Sequence, residues 1–125
     1  MERARVLADT SFWIDHIAGK PTPIADLLKR RRIALHPLVI GELAMGSLKN
    51  RSIFLRELKK LPTVVAASNA EIMAFVEWQE LFGTGIGFVD AHLLASVKTA
   101  LNLTIATKDS RLVAQAERLG VAYIP

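Results

Sequence analysis

Four carboxylates stand next to apolar residues, where acidic side chains are uncommon. Asp9 and Asp109 come at or just after the ends of short apolar runs, Asp90 follows a valine, and Glu42 lies inside an apolar helical pattern. A buried, unpaired carboxylate costs several kcal/mol, unless it becomes neutral or meets a cation. Carboxylate oxygens are the ligands that hard divalent ions prefer. We therefore predict that these side chains form a site for Mg²⁺ or Mn²⁺.

Three of the acids have an alternative role as helix caps. Asp9, Asp90 and Asp109 all precede or open a helical pattern, where a carboxylate can accept backbone hydrogen bonds and offset the helix dipole. Thr10 and Ser11 directly follow Asp9 and also cap helices well. We expect one of these two hydroxyls to cap the helix, which would leave Asp9 free as a metal ligand.

Glu42 is the most unusual of the four acids. Its neighbours one turn away on the predicted helix are apolar or small, namely Leu38, Val39, Met45 and Gly46. A glutamate on such a stripe is costly unless a positive group meets it. The alternative to a metal site is a buried salt bridge with an arginine.

The elements that position these acids alternate along the chain. Apolar runs without alternation predict buried strands at 6–9, 33–35, 63–65, 103–106 and 121–124. Helical patterns lie between them at 10–17, 23–31, 37–49, 51–60, 68–81, 89–100 and 110–119. This order predicts an α/β domain with a mainly parallel sheet covered on both faces. In such sheets the functional site lies at the carboxyl ends of the strands.

Composition limits the class of protein. A chain of 125 residues, 51% of them hydrophobic, predicts one folded domain over 1–125. The absence of cysteine excludes a disulfide scaffold and a cysteine nucleophile, and it fits the cytoplasm. The apolar run before Asp9 is too short for a signal peptide, and no run reaches the ~18 residues of a membrane span.

Basic residues suggest a polyanionic partner. The formal charge is +4, and basic side chains cluster within 29–32 and 49–60. A basic surface favours a polyanionic partner such as a nucleic acid, and the candidate contact residues are Arg30, Arg31, Arg32, Lys49 and Arg51. The alternative is a solvated helix surface that serves solubility.

Two weaker signals carry no function in the sequence. His36 and His92 show no metal-ligand spacing, which favours structural roles. The glycine-rich stretch 83–87 does not match a dinucleotide-binding loop, because Phe88 takes the place of its last glycine and a helix precedes it.

The ordered set of acids resembles the PIN-domain nucleases, and more narrowly the VapC-type toxins of toxin–antitoxin pairs. The matching segments span nearly the whole chain and are Leu7-Ala8-Asp9-Thr10-Ser11-Phe12-Trp13-Ile14, Gly41-Glu42-Leu43, Val89-Asp90-Ala91-His92-Leu93-Leu94-Ala95 and Thr107-Lys108-Asp109. Each segment alone is weak, whereas the ordered set is fairly specific.

The resemblance implies a PIN-like α/β/α sandwich and an endoribonuclease that depends on Mg²⁺ or Mn²⁺. It implies catalytic and metal-binding roles for Asp9, Glu42, Asp90 and Asp109. Supporting polar roles would fall to Thr10, Ser11 and Thr107. Family members usually form homodimers, and a cognate antitoxin binds them and plugs the acidic pocket with its tail. Their targets are often tRNA or ribosomal RNA.

Three other classes remain open at this point. A phosphoacceptor receiver domain also carries acids at strand ends, but it has an adjacent acidic pair near its start, whereas Asp9 stands alone. A metal-dependent phosphatase with an aspartate nucleophile usually has a second acid two residues later, where this chain has Ser11. A PIN-like module that binds RNA or a partner without cleaving it is the third.

Overall fold

The computed structural model describes residues 4–125, which form three strands and seven helices. In chain order the elements are β1 (Arg5–Ala8), α1 (Thr10–Ile17), α2 (Ile24–Lys29), β2 (Ile33–Ala34), α3 (Pro37–Ala44), α4 (Arg51–Leu58), α5 (Asn69–Trp78), α6 (Phe88–Thr99), β3 (Leu103–Ala106) and α7 (Ser110–Arg118). No helix within 4–125 is long and apolar enough to cross a bilayer.

The sheet is parallel, with strand order β2-β1-β3. Its middle strand is β1, in which Val6 pairs with Ile33 on one side and with Thr104 on the other. The consecutive residues Val6, Leu7 and Ala8 are all fully buried. Since successive side chains point to opposite faces, both faces of the sheet must be covered. The predicted parallel sheet is therefore confirmed.

Helices cover the sheet and complete the predicted α/β/α sandwich. α6 packs on β3 and α5 packs on α6, while α1 contacts both α2 and α3. The buried side chains from all these elements form one core cluster. Several helices begin where the sequence supplies a cap, such as the capping box of Ser68 and Glu71 at the start of α5.

Two of the five predicted strands are wrong in length. Residues 63–65 and 121–124 contribute only single parallel bridges, Leu35 with Thr63 and Ile105 with Ala122. These bridges lie at the two edges of the sheet, where a segment has a partner on one side only. Beyond Thr63 the chain leaves the sheet, and Val65 is 94% exposed. Apolar runs thus predicted the correct order of segments but not their pairing.

α3 is shorter than the predicted helix at 37–49. It ends at Ala44, and the amides of Met45 and Gly46 close its last turn on the carbonyls of Glu42 and Leu43. Gly46 and Ser47 follow, and both residue types are poor helix formers. Lys49 therefore lies in a loop between α3 and α4 instead of on a helix.

Candidate active site

The four predicted acids line one cavity of about 450 Å³. Asp9 follows β1 and Asp109 follows β3, so both lie at the carboxyl edge of the sheet. Glu42 reaches this edge from α3, and Asp90 reaches it from the first turn of α6. The remaining lining residues are Thr10, Ser11, Gly87, Phe88, Val89 and Leu93. The fold thus brings together side chains that the sequence separates widely.

Asp9 is buried and forms a dense set of hydrogen bonds. Its Oδ1 accepts from the Phe12 amide at 3.1 Å and from the Ser11 hydroxyl at 2.7 Å. Asp9 itself therefore caps α1, and the expectation that Thr10 or Ser11 would do so is wrong. The reason is backbone geometry. Asp9 has the extended conformation of a capping residue, whereas Thr10 is already the first residue of the helix.

Thr107 connects Asp9 to the loop that carries Asp109. Its hydroxyl donates to Oδ2 of Asp9 at 2.5 Å and accepts from the Asp109 amide at 3.0 Å. The contact follows from strand register, because Ala8 pairs with Ala106 and the residues after both strands lie side by side. Both oxygens of Asp9 are therefore fixed by hydrogen bonds.

Glu42 is exposed, contrary to the apolar setting expected from its neighbours. α3 buries Val39 and Leu43 in the core, and Glu42 lies beside that buried stripe. Oε1 of Glu42 accepts a hydrogen bond from the Thr10 hydroxyl at 2.5 Å. Among residues 4–125 it has no salt bridge with an arginine. Thr10 thus holds this carboxylate at the mouth of the cavity.

Asp90 is half-buried in the first turn of α6, and its Oδ2 accepts from the Gly87 amide at 3.2 Å. Burial raises the pKa of Asp90, and the negative charges of Asp9, Asp109 and Glu42 raise it further. The Gly87 hydrogen bond acts in the opposite direction. The four carboxylates that line the cavity make it a region of concentrated negative charge.

Asp109 is exposed and caps α7. Its Oδ1 accepts from the amides of Arg111 at 2.9 Å and Leu112 at 3.3 Å. The capping alternative is therefore realised at Asp109 as it is at Asp9. Its second oxygen has no hydrogen-bond partner among the described residues. The Asp109 carboxylate thus caps α7 with one oxygen and leaves the other available.

The chemistry of the lining fits a hard divalent ion. The charged groups that line the cavity are all carboxylates, and no basic side chain from residues 4–125 is among them. A cation would relieve the mutual repulsion of these carboxylates. As they stand, no three acidic or histidine side chains in the described part of the chain form a ready-made metal site.

The predicted basic residues lie at different places. Arg32 precedes β2, and its Nε donates to the carbonyl of Ala4 just before β1, at the amino edge of the sheet. At the usual rise per residue of a strand, the length of β1 places this edge about 13 Å from Asp9. Arg30 beside it pairs with Asp26 at 3.0 Å. In contrast, Arg51 starts α4 and donates to the carbonyl of Gly46, in the loop after α3.

Two contacts near the cavity were not foreseen from the sequence. Lys108 forms an ion pair with Asp15 of α1 at 2.5 Å, and this contact lowers the pKa of Asp15. The side chain of Arg111 lies across Gly85, within the glycine-rich stretch. The signal available in the sequence was that Lys108 and Arg111 lie on either side of Asp109. Their partners, however, are distant in sequence.

The buried histidines have structural roles, in agreement with the sequence. His36 caps α3 through Nδ1, which accepts from the Leu38 amide at 3.0 Å. His92 contacts the rings of both His36 and Phe88, and its Nε2 lies 3.2 Å from Asn69 Oδ1. Because Phe88 lines the cavity, this aromatic stack supports the cavity wall from behind.

Comparisons with known proteins identify the family. The model of the PIN domain matches residues 6–118. Two relatives, both named Ribonuclease VapC32 and from two strains of Mycobacterium tuberculosis, are 38% identical over 117 residues, which is 94% of this chain and 94% of theirs. The crystal structure of PAE2754 from Pyrobaculum aerophilum shares the fold, with a TM-score of 0.63 and 19% identity over 94% of this chain and 96% of that one. This chain therefore belongs to the PIN-domain family and, within it, to the VapC proteins.

Proposed function

We propose that this protein is the toxin of a VapBC-type toxin–antitoxin pair, an endoribonuclease that hydrolyses RNA phosphodiester bonds with Mg²⁺ or Mn²⁺. One observation carries the proposal: in a chain of the PIN family, Asp9, Glu42, Asp90 and Asp109 converge on one cavity without a basic group in its lining. Because the chain belongs to this family, it is neither a phosphoacceptor receiver domain nor a phosphatase with an aspartate nucleophile. The relatives' name, ribonuclease, supports RNA as the substrate.

The four carboxylates divide into an inner and an outer pair. Asp9 is buried and Asp90 half-buried, so we propose these as the principal ligands. Glu42 and Asp109 are exposed at the mouth, where their oxygens complete the set. When bound, the ion would supply Lewis acidity toward an attacking water and toward the phosphate oxygens.

The hydroxyl groups around the cavity position carboxylates. Ser11 donates to Asp9, Thr10 donates to Glu42, and Thr107 donates to Asp9. Ser11, the serine that lines the cavity, is thus engaged as a donor, and the chain has no cysteine. Water is therefore the nucleophile that we propose, with in-line displacement of the 3′ oxygen.

The partners that we propose are those of the VapC family. A cognate antitoxin would cover the acidic cavity, and its charge there should be positive. The contacts predicted for Arg30, Arg31, Arg32, Lys49 and Arg51 remain a proposal. The place of the three arginines at the amino edge supports contact with a protein partner more than contact with the cleaved phosphate. A homodimer, a tRNA or ribosomal RNA target and a cytoplasmic location complete the proposal.

Cleavage of a small-RNA pool by the purified chain tests the nuclease. The reaction is run with Mg²⁺, Mn²⁺ or EDTA, and with the variants Asp9→Asn and Asp90→Asn. Asp26→Asn is the matched control, because Asp26 is an exposed acid on α2 that pairs with Arg30 outside the cavity. We expect metal-dependent cleavage by the wild type and by Asp26→Asn, and none by the two cavity variants.

Other outcomes would change the assignment. Metal-independent cleavage, or cleavage that persists in folded Asp9→Asn and Asp90→Asn, would contradict the roles given to these residues. RNA binding without cleavage under either metal would instead favour the non-catalytic binding module.

A further inference from the structure

Arg111 is held in an unusual way at the rim of the acidic cavity. Its side chain crosses Gly85 so closely that a Cβ built at Gly85 would lie 2.8 Å from Cδ and 3.3 Å from both Nε and Nη1. Gly85 also has a φ of +88°, which other residues rarely adopt. The positive φ therefore favours glycine here, and a Cβ at this position would force the exposed Arg111 side chain to move.

The two contact partners of Arg111 belong to segments that form the cavity. Its amide donates to Oδ1 of Asp109. Gly85 lies shortly before Gly87, which lines the cavity and donates to Asp90. Arg111 therefore spans the rim between the loop before Asp90 and the helix that follows Asp109.

Arg111 is exposed. Within the residues that the structure describes, its guanidinium makes no hydrogen bond or ion pair. The neighbouring cation Lys108 is paired with Asp15 at 2.5 Å. Arg118, on the same helix as Arg111, donates to Gln115 and to the carbonyl of Gln79. Arg111 is thus a cation beside the cavity whose donors are unused.

The position of Arg111 is also unfavourable for folding alone. It lies in the first turn of α7, where the helix dipole disfavours a positive charge. A guanidinium offers a rigid fork of donors that matches a phosphate bidentately. An exposed guanidinium with no partner among the described residues, near a cavity lined by four carboxylates that repel an anionic substrate, suits the capture of phosphate.

We propose that Arg111, supported by Gly85, binds a backbone phosphate of the RNA next to the bond to be cleaved. The inference rests on the proposed function, because it assigns the substrate contact of that same site. In this arrangement the carboxylates serve the metal, and Arg111 supplies the positive charge that the cavity lining lacks.

The glycine-rich loop provides a matched pair of variants for the test. Gly85→Ala introduces a Cβ against Arg111, whereas Gly83→Ala has a similar positive φ of +72° but meets no described atom within 4 Å. Both substitutions strain the same loop, and only the first displaces the arginine. Arg111→Ala, Arg111→Lys and the double variant Gly85→Ala/Arg111→Ala complete the set, with thermal unfolding to verify folding.

Binding of a single-stranded oligoribonucleotide is measured in Ca²⁺ across a range of salt concentrations, and cleavage is measured separately in Mg²⁺. Losing one phosphate contact should reduce the slope of log Kobs against log salt by about 0.7. We expect that reduction and a roughly five- to tenfold loss of affinity in Arg111→Ala and Gly85→Ala. Gly83→Ala should behave as wild type, and the double variant should be no worse than Arg111→Ala.

An unchanged slope in folded Arg111→Ala would overturn the proposal, as would equal effects of Gly83→Ala and Gly85→Ala. The two proposals can fail separately. A wild type that binds RNA but cleaves none in Mg²⁺ or Mn²⁺ refutes the nuclease, while the salt slope still decides the phosphate contact.

Discussion

The hydroxyl of Thr107 donates to Oδ2 of Asp9 over 2.5 Å, although the two residues are 98 positions apart in the chain. The same hydroxyl accepts from the Asp109 amide. One small side chain therefore joins two of the four acids, and it does so without occupying the cavity itself.

Replacing Thr107 by valine should impair cleavage more than folding. Valine keeps the shape of threonine but removes the donor to Asp9 and the acceptor for the Asp109 amide. Groups that orient metal ligands typically contribute 10–100-fold to activity or metal affinity, so we expect a loss of about that size. Thr107→Ser keeps the hydroxyl and should retain most activity. Cleavage rates against Mg²⁺ concentration would measure the effect, and equal losses in both variants would contradict it.

Asp90→Asn should stabilise the metal-free protein while it abolishes cleavage. The pKa of Asp90 is higher in the folded state than in the unfolded state. Ionisation of this group therefore opposes folding at any pH above both pKa values. Removing the charge relieves burial and the repulsion from three other acids. We expect the variant to have a higher free energy of unfolding than wild type in EDTA.

Added Mg²⁺ should reverse that order, because a cation that binds only the folded state stabilises it in proportion to its binding. Urea unfolding of both proteins with EDTA and with Mg²⁺ makes the comparison. A metal-free Asp90→Asn variant that is less stable than wild type would show that Asp90 matters chiefly as a partner of Gly87.

His36 should make stability fall in mild acid. Burial, and to a smaller extent His92, lowers the pKa of His36 from 6.5 to about 4. Between these values the unfolded chain binds more protons than the folded one. The contribution of neutral His36 to the free energy of unfolding is therefore complete above pH 6.5. It falls by on the order of 3 kcal/mol as the pH falls toward 4.

Protonation of Nδ1 would also remove the acceptor for the Leu38 amide at the start of α3. Asparagine at this position keeps an acceptor but does not titrate. Urea unfolding at several pH values should therefore show a flatter dependence for His36→Asn than for wild type. Equal slopes would assign the acid sensitivity to other groups.

Changing Arg30, Arg31 and Arg32 together to alanine should leave the cleavage rate of a short oligoribonucleotide within about twofold of wild type. These residues lie at the amino edge of the sheet, about 13 Å from the acidic edge by strand rise. The basic cluster in the sequence suggested contact with a nucleic-acid backbone, and in that case removing these arginines would flatten the salt dependence of RNA binding. A flattened slope with the short substrate would restore that interpretation, and weakened antitoxin binding would support the alternative.

Local signals in the sequence predicted much of the fold and of the site. The predicted bounds of α1 and β3 were correct to the residue. The capping box of Ser68 likewise placed α5. Since parallel strands end at one edge, the convergence of the acids followed from the order of the elements.

Tertiary contacts account for what the sequence missed. The exposure of Glu42 depends on how α3 rotates against the core, and a stripe of apolar neighbours does not determine that rotation. The contact of Arg111 with Gly85 depends on two loops meeting, and no periodic pattern encodes such a meeting. Thr63 and Ala122 each form only a single bridge, with Leu35 and Ile105, because each lies at an edge of the sheet and has one neighbouring segment.

Asp9 caps α1 with one oxygen and accepts from Thr107 with the other, so one carboxylate serves both the helix and the proposed site. Asparagine, serine or threonine at this position would still cap the helix, whereas the proposed metal site requires a carboxylate. In a library of variants, survivors chosen for folding and survivors chosen for nuclease activity should therefore differ sharply at position 9. The same reasoning makes asparagine, and not alanine, the substitution that silences the enzyme while preserving its shape.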